Sequence, residues 1–318
     1  MGPKYRILRA PLLLVALLFV CSSWATASPK ELTVAAVQLR VSEELYRSQA
    51  TFARSVDSHV AEAVAAGSEL LIFPEYAGVF LAALPYSELV LSSNSVTGAL
   101  RRIDQAGADA STFREFFLAE AGRVSETMDA VFGAIAKEWG VHILAGTYFA
   151  RSRTADGRVR LTNRALLYAP TGERVLEQDK VFLTPFEQQL LGLDAGRPEE
   201  VRPFSVEGLE VGVTICRDTF FDVWDTVHAE RDLWVDIKAD GVAFDDEARR
   251  RYRKTVPERL KKAGVPYGVT VSLVGEYLDL FWEGRTSAVA WEGGGLETLE
   301  MSETVRGADL VVEEFTLP

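Results

Sequence analysis

Cysteine and histidine are scarce in this chain. Its 318 residues include two cysteines and three histidines, and two thiols cannot build the multi-bridge framework that holds small secreted domains together. His59, His142 and His228 stand far apart, and no two of them have the spacing of a metal-ligand pair, so no metal site is expected. Positive charge is short as well. Thirty-four Lys and Arg face 46 Asp and Glu, for a formal net charge of −12, which argues against nucleic acid as a partner because phosphate binding draws on clustered basic residues. The exception is the run Arg249 to Lys254 with Lys261 and Lys262. It reads as the solvated face of a helix over about Asp245 to Lys262. No glycine-rich loop follows a strand to cradle phosphate, and Gly293-Gly294-Gly295 reads as a hairpin turn, so no cofactor is expected.

The first 27 residues differ from the rest. Lys4, Arg6 and Arg9 precede an apolar run from Ala10 to Cys21, and Ala25-Thr26-Ala27 offers a small-x-small cleavage site. That is the plan of a secretory signal peptide (residues 1–27), which leaves one domain over residues 28–318 starting at Ser28. An uncleaved anchor and a lipoprotein attached through Cys21 are the alternatives. Export to the periplasm or medium follows, with no stable membrane span after signal removal. Losing three basic residues moves the net charge to −15. Cys216 then remains as a lone thiol in an oxidising compartment. Such a thiol has a chemical duty, pairs with a partner chain, or is a small buried hydrophobe.

The rest of the chain alternates strands and helices without an internal repeat. Leu32 to Leu39 reads as a strand, and Phe52, Val56, Val60 and Val64 then recur at helical spacing until Gly67. Leu70 to Phe73 is a buried strand broken by Pro74. Met128, Val131, Phe132, Ile135 and Trp139 share a helical face ahead of Gly140 and the strand Val141 to Ala145. Ala165 to Ala169 and Val175-Leu176 flank a Pro-Thr-Gly turn, and Val211 to Ile215 is another buried strand. Tyr267 to Val274 and Thr286 to Trp291 add two more. The pattern predicts an α/β domain of sheets covered by helices. Leu81 to Thr127 is less patterned and reads as an insertion over one edge.

Three residues stand out by position. Glu75 follows a strand after one Pro, Lys180 follows the hairpin strand, and Cys216 ends the Val211 to Ile215 strand. Strand ends held by rigid elements can converge on one crevice. At these residues the chain resembles the nitrilase, or carbon–nitrogen hydrolase, superfamily, in its amidase-like branch. The resemblance runs through Ala36-Val37-Gln38, Leu71-Ile72-Phe73-Pro74-Glu75-Tyr76, Ala136-Lys137-Glu138-Trp139-Gly140 and Ala145-Gly146. It continues through Asn163-Arg164-Ala165, Asp179-Lys180-Val181-Phe182-Leu183-Thr184-Pro185-Phe186-Glu187, Val211-Gly212-Val213-Thr214-Ile215-Cys216 and the closing Ala308 to Val312.

The resemblance implies a four-layer α-β-β-α sandwich, commonly paired into a homodimer, that hydrolyses a non-peptide carbon–nitrogen bond. Cys216 would be the nucleophile. Glu75 would be the general base and Lys180 the cation facing the oxyanion, with the backbone N–H of Arg217 as a second donor. Glu187 resembles an additional Glu that orients base or substrate. If it receives the NH₂ of an amide, amides should outperform nitriles. A small amide, carbamoyl compound or nitrile is the expected substrate, with an amide the first choice. A thiol acyltransferase and a catalytically silent binding protein of the same fold are the other readings. Two departures bear on the substrate: Arg217 stands where the family has an aromatic residue, and Asp236-Ile237-Lys238-Ala239-Asp240 replaces its common Asn-Pro or Pro-Ser stretch. Phe220, Phe221 and Trp224 read as an apolar wall of the site or as core.

Overall fold

The computed structural model describes residues 1–2, 30–108 and 110–317. The expected signal segment and Cys21 fall outside these residues.

Two six-stranded sheets dominate. The first runs in the order Asp309–Leu317, Lys30–Gln38, Leu70–Ile72, His142–Arg153, Val159–Tyr168, Arg174–Asp179. The second runs Gly295–Met301, Ser287–Glu292, Tyr267–Ser272, Leu233–Lys238, Leu209–Ile215, Phe204–Val206. Both have three parallel strands at the centre and antiparallel strands at the edges. Arg40–Val41, Val274–Tyr277 and Leu280–Trp282 form a small third sheet.

Alternation along the strands decides the layering. Successive side chains of a strand point to opposite faces. Leu32, Val34 and Ala36 of the first sheet therefore pack with Val211, Val213, Val235 and Ile237 of the second in one buried cluster between the sheets. Their neighbours Ala35 and Val37 face the other way, onto Phe52, Val56 and Val60 of the helix Gln49–Ala65 and onto Phe132 and Ile135. On the second sheet, Trp234 and Val289 pack outward onto Val256 and Leu260 of the helix Val256–Ala263. Helix, sheet, sheet, helix is the four-layer sandwich that the sequence implied.

Two expectations are corrected. The helix expected over Asp245 to Lys262 is two helices, Asp246–Arg253 and Val256–Ala263, because Pro257 has no backbone N–H to bond the Arg253 carbonyl four residues back and its ring crowds that carbonyl. The basic run does sit on a mainly solvated face, where Arg249 and Arg251 pair with Asp246 and Glu247. The segment thought unpatterned is helical: a 3-10 helix Val79–Tyr86 leads into α-helices Ser87–Leu91, Val96–Ile103 and Phe113–Met128. Ser95 caps the third of these elements, and Thr112 with Glu115 forms a capping box on the last.

Candidate active site

Glu75 sits on a turn that the neighbouring strand holds in place. The Thr147 hydroxyl accepts from the Tyr76 N–H at 2.8 Å. Gly146, at φ +67°, lies so close to the turn that a Cβ there would come within 2.0 Å of the Pro74 carbonyl oxygen. Only glycine permits that approach. Lys180 is fixed through its backbone, with its N–H on the Asn163 carbonyl and its carbonyl accepting from Gly196, both at 2.8 Å. Its successors Val181 and Phe182 donate to the buried Asp218 carboxylate at 3.2 Å and 2.7 Å.

These constraints place five buried side chains, Lys180, Glu75, Glu187, Asn163 and Tyr76, in one network. Lys180 Nζ stands 2.7 Å from Glu75 Oε1 and 2.9 Å from Glu187 Oε1. Asn163 Nδ2 donates to the same two oxygens at 2.8 Å and 3.0 Å. The second Glu75 oxygen accepts from the Ala239 N–H at 3.0 Å. The Tyr76 hydroxyl donates to Glu187 Oε1 at 2.9 Å, and the second Glu187 oxygen accepts from the Thr184 N–H and hydroxyl.

Cys216 is the residue where the Leu209–Ile215 strand gives way to a 3-10 helix, Cys216–Phe220. Its φ is +54°, a left-handed conformation that a side chain with a Cβ resists. Its N–H donates to Asp236 Oδ1 at 3.1 Å, and Asp236 Oδ2 lies 3.0 Å from Lys238 Nζ. Both partners are buried. The Arg217 N–H falls in the first turn of the 3-10 helix, where intrahelical acceptors are missing. The Arg217 guanidinium reaches the Leu183 carbonyl and lies over the Phe221 ring.

Burial and charge set the proton affinities. Desolvation lifts the Glu75 carboxyl to about 7; Lys180 pulls it down and Glu187 pushes it up. Burial alone would lower Lys180, but Glu75, Cys216 and Glu187 outweigh it and hold the ammonium firmly protonated. Burial also raises Glu187, yet Lys180 and the Thr184 donors bring it below its usual value. The Cys216 thiol is pushed well up by burial and by Glu75, against the pull of Lys180 and Lys238. The thiol is therefore protonated at rest beside a carboxyl that titrates near neutrality.

Glu75, Lys180 and Cys216 open together into a cavity of about 430 Å³, whose other walls include Phe186, Leu280, Phe281 and Trp282. The structure thus brings the three expected residues to one place. Glu187 lies behind Lys180 and off the cavity wall, with both its oxygens occupied by protein donors. The resemblance left Glu187 to orient base or substrate; the turn after Pro185 carries its side chain inward, where its contacts are with Lys180, Asn163, Tyr76 and Thr184. Phe220, Phe221 and Trp224 are not on the cavity wall. Trp224 is core, Phe221 stacks on Phe182 at 3.6 Å, and Phe220 is exposed under Lys238. Asn163, Tyr76, Asp236 and Lys238 were given no role beforehand. Asp236 and Lys238 had a signal: an acid and a base two apart in an apolar strand share one face.

The family described as carbon-nitrogen hydrolase matches residues 33–232, well over half of the chain. This chain belongs to the carbon–nitrogen hydrolase family. No curated protein matches this hydrolase by sequence. Among solved structures, it is similar to a double mutant of the amidase from Nesterenkonia sp. AN1 in complex with acrylamide, with 16% identity, a TM-score of 0.61 and 91% of each chain covered. It is also similar to a mutant of that amidase with acrylamide added at the active-site cysteine, at 17% identity and TM-score 0.60 over 90% and 93% of the two chains. A third, a mutant of the same amidase in complex with butyramide, gives 16%, 0.60, and 90% and 91%. At such identities the likeness is one of fold. The hydrolase carries the nitrilase sandwich, and no helix among its described residues is long and apolar enough to cross a membrane.

Proposed function

We propose that this hydrolase is an exported amidase that cleaves small carboxamides through a thioester on Cys216. The observation that carries the reading is the convergence of three strand ends on one cavity, with the thiol beside a 2.7 Å carboxylate–ammonium pair. Ionised Glu75 takes the thiol proton as Sγ attacks the amide carbon. The carbonyl oxygen becomes an oxyanion facing Lys180 Nζ and the Arg217 N–H. Collapse breaks the C–N bond, and the proton held on Glu75 leaves with ammonia. Water then gives a proton to Glu75 and attacks the thioester, releasing the acid and the thiol. Glu187 and Asn163 act on Lys180 and Glu75, holding both in line.

The preference for amides over nitriles no longer rests on Glu187, whose oxygens are taken. It is supported by the amidase neighbours, one of which binds butyramide. Export and pairing into a homodimer belong to the same proposal. N-terminal sequencing of the secreted or periplasmic fraction should begin at or near Ser28, and light scattering should give twice the chain mass. The deciding test is a quenched-flow mass measurement with butyramide: the expected product is an acyl adduct on Cys216, trapped by hydroxylamine and absent in Cys216→Ala. Turnover retained in Cys216→Ala would sink the mechanism.

A further inference from the structure

The catalytic cavity has an apolar neighbour. Tyr76, Phe186, Leu280 and Trp282 form a wall common to it and to a second cavity of about 90 Å³. Apart from tyrosine hydroxyls, the side chains lining the second cavity are apolar, and none is charged. Most come from the helical segment between Val79 and Phe117, which stands outside both main sheets. Tyr76 ties the two spaces together: its hydroxyl is bonded to Glu187 in the catalytic network while its ring faces the apolar space.

Protein interiors pack closely, and an apolar void forfeits contacts on every wall. Such a void stays dry and accepts hydrocarbon. One that adjoins a nucleophile has a ready occupant, the part of the substrate that does not react. The rim excludes another class. Asp240 and Asp279 line the catalytic cavity and are exposed, and Lys180, the one cation on its wall among the described residues, is held by two carboxylates. An acyl group ending in a carboxylate would meet repulsion and no free cation.

We infer that the second cavity is an acyl-chain pocket and that the substrates are primary amides of medium-length apolar acids, held with the amide at Cys216 and the chain among Val96, Ala99, Leu100 and Phe116. This rests on the amidase reading of the same site, and binding separates the two claims. In Cys216→Ala, calorimetry should show hexanamide binding roughly two-hundredfold more tightly than acetamide, since each of its four additional buried methylenes contributes roughly fourfold. Succinamate should bind no better than acetamide. Ala99→Phe should cut the hexanamide-to-acetamide ratio at least tenfold, and Leu100→Ala, which enlarges the space, should raise the octanamide-to-hexanamide ratio. Tight hexanamide binding without turnover by the intact protein would uphold the pocket and overturn the amidase reading. Acetamide turnover with no gain on lengthening the chain would overturn the pocket, as would ratios that neither variant moves.

Discussion

Two buried ion clusters flank Cys216, and they are built differently. The cluster on the first-sheet side has two carboxylates around one ammonium, Glu75 and Glu187 on Lys180. The one on the second sheet has one of each, Asp236 and Lys238. Burial lifts Glu75 to about 7, and the one ammonium, shared with Glu187, does not bring it back to its ordinary value. The equal pair sets one ammonium against one buried carboxylate, with Lys238 pulling down the Asp236 that burial raises. It holds the backbone of Cys216 through the 3.1 Å bond to Asp236. On the proposed mechanism one cluster moves protons and the other keeps Cys216 in place.

Variants can break this contrast. The largest loss is expected on the first-sheet side, where Lys180→Met and Glu75→Gln should each lower kcat by roughly 10²–10³ or more, as loss of one oxyanion donor does. A tenfold effect or less at both positions would remove the division of labour. On the second sheet the damage should appear first in stability. Lys238→Met strands a buried carboxylate, and breaking such a pair costs about 3–5 kcal/mol, to be read as a lower denaturant midpoint. The double variant Asp236→Asn with Lys238→Met should recover most of that. If Lys238→Met instead kept full stability and lost activity as Lys180→Met does, the second pair would belong to the chemistry.

The smallest effect concerns pH. Glu75 must be ionised to accept the thiol proton, so kcat/KM should be high above about 7 and fall as pH drops through it. Asp218 is raised by burial to about 7 as well, so it is the rival source of that limb. Asp218→Asn should leave the midpoint where it is. A limb that moves or vanishes in this variant would reassign the titration.

The same contrast runs through what could be read from the amino-acid order. Glu75 and Cys216 follow strands whose apolar runs are plain, whereas Lys180 follows the largely polar strand Arg174–Asp179 and stood out through the resemblance. Leu32 to Leu39 was legible as a strand, and its near-continuous apolar run fits the burial of that strand on both faces. Asp236 and Lys238 registered only as a departure from the family pattern, since charges in sequence are read as solvated until a fold buries them. Segment 79–128 escaped because Val79, Phe80, Leu81 and Ala82 are apolar on all sides of their helix, which erases the 3.6-residue period. Its caps at Ser95 and Thr112 were in plain view. The direction in which Glu187 points was not legible, because a π-helical turn, Phe186–Leu190, has no signature in residue spacing.

The left-handed backbone at Cys216 bears on how such an enzyme persists. Glycine relaxes that conformation more fully than any other residue, and asparagine does so in part, yet neither supplies a sulfur. On the proposed mechanism, folding stability and chemistry therefore favour different residues at this position. A lineage selected for heat resistance alone would drift toward a firmer and silent protein, and only continued demand for the reaction keeps the thiol there.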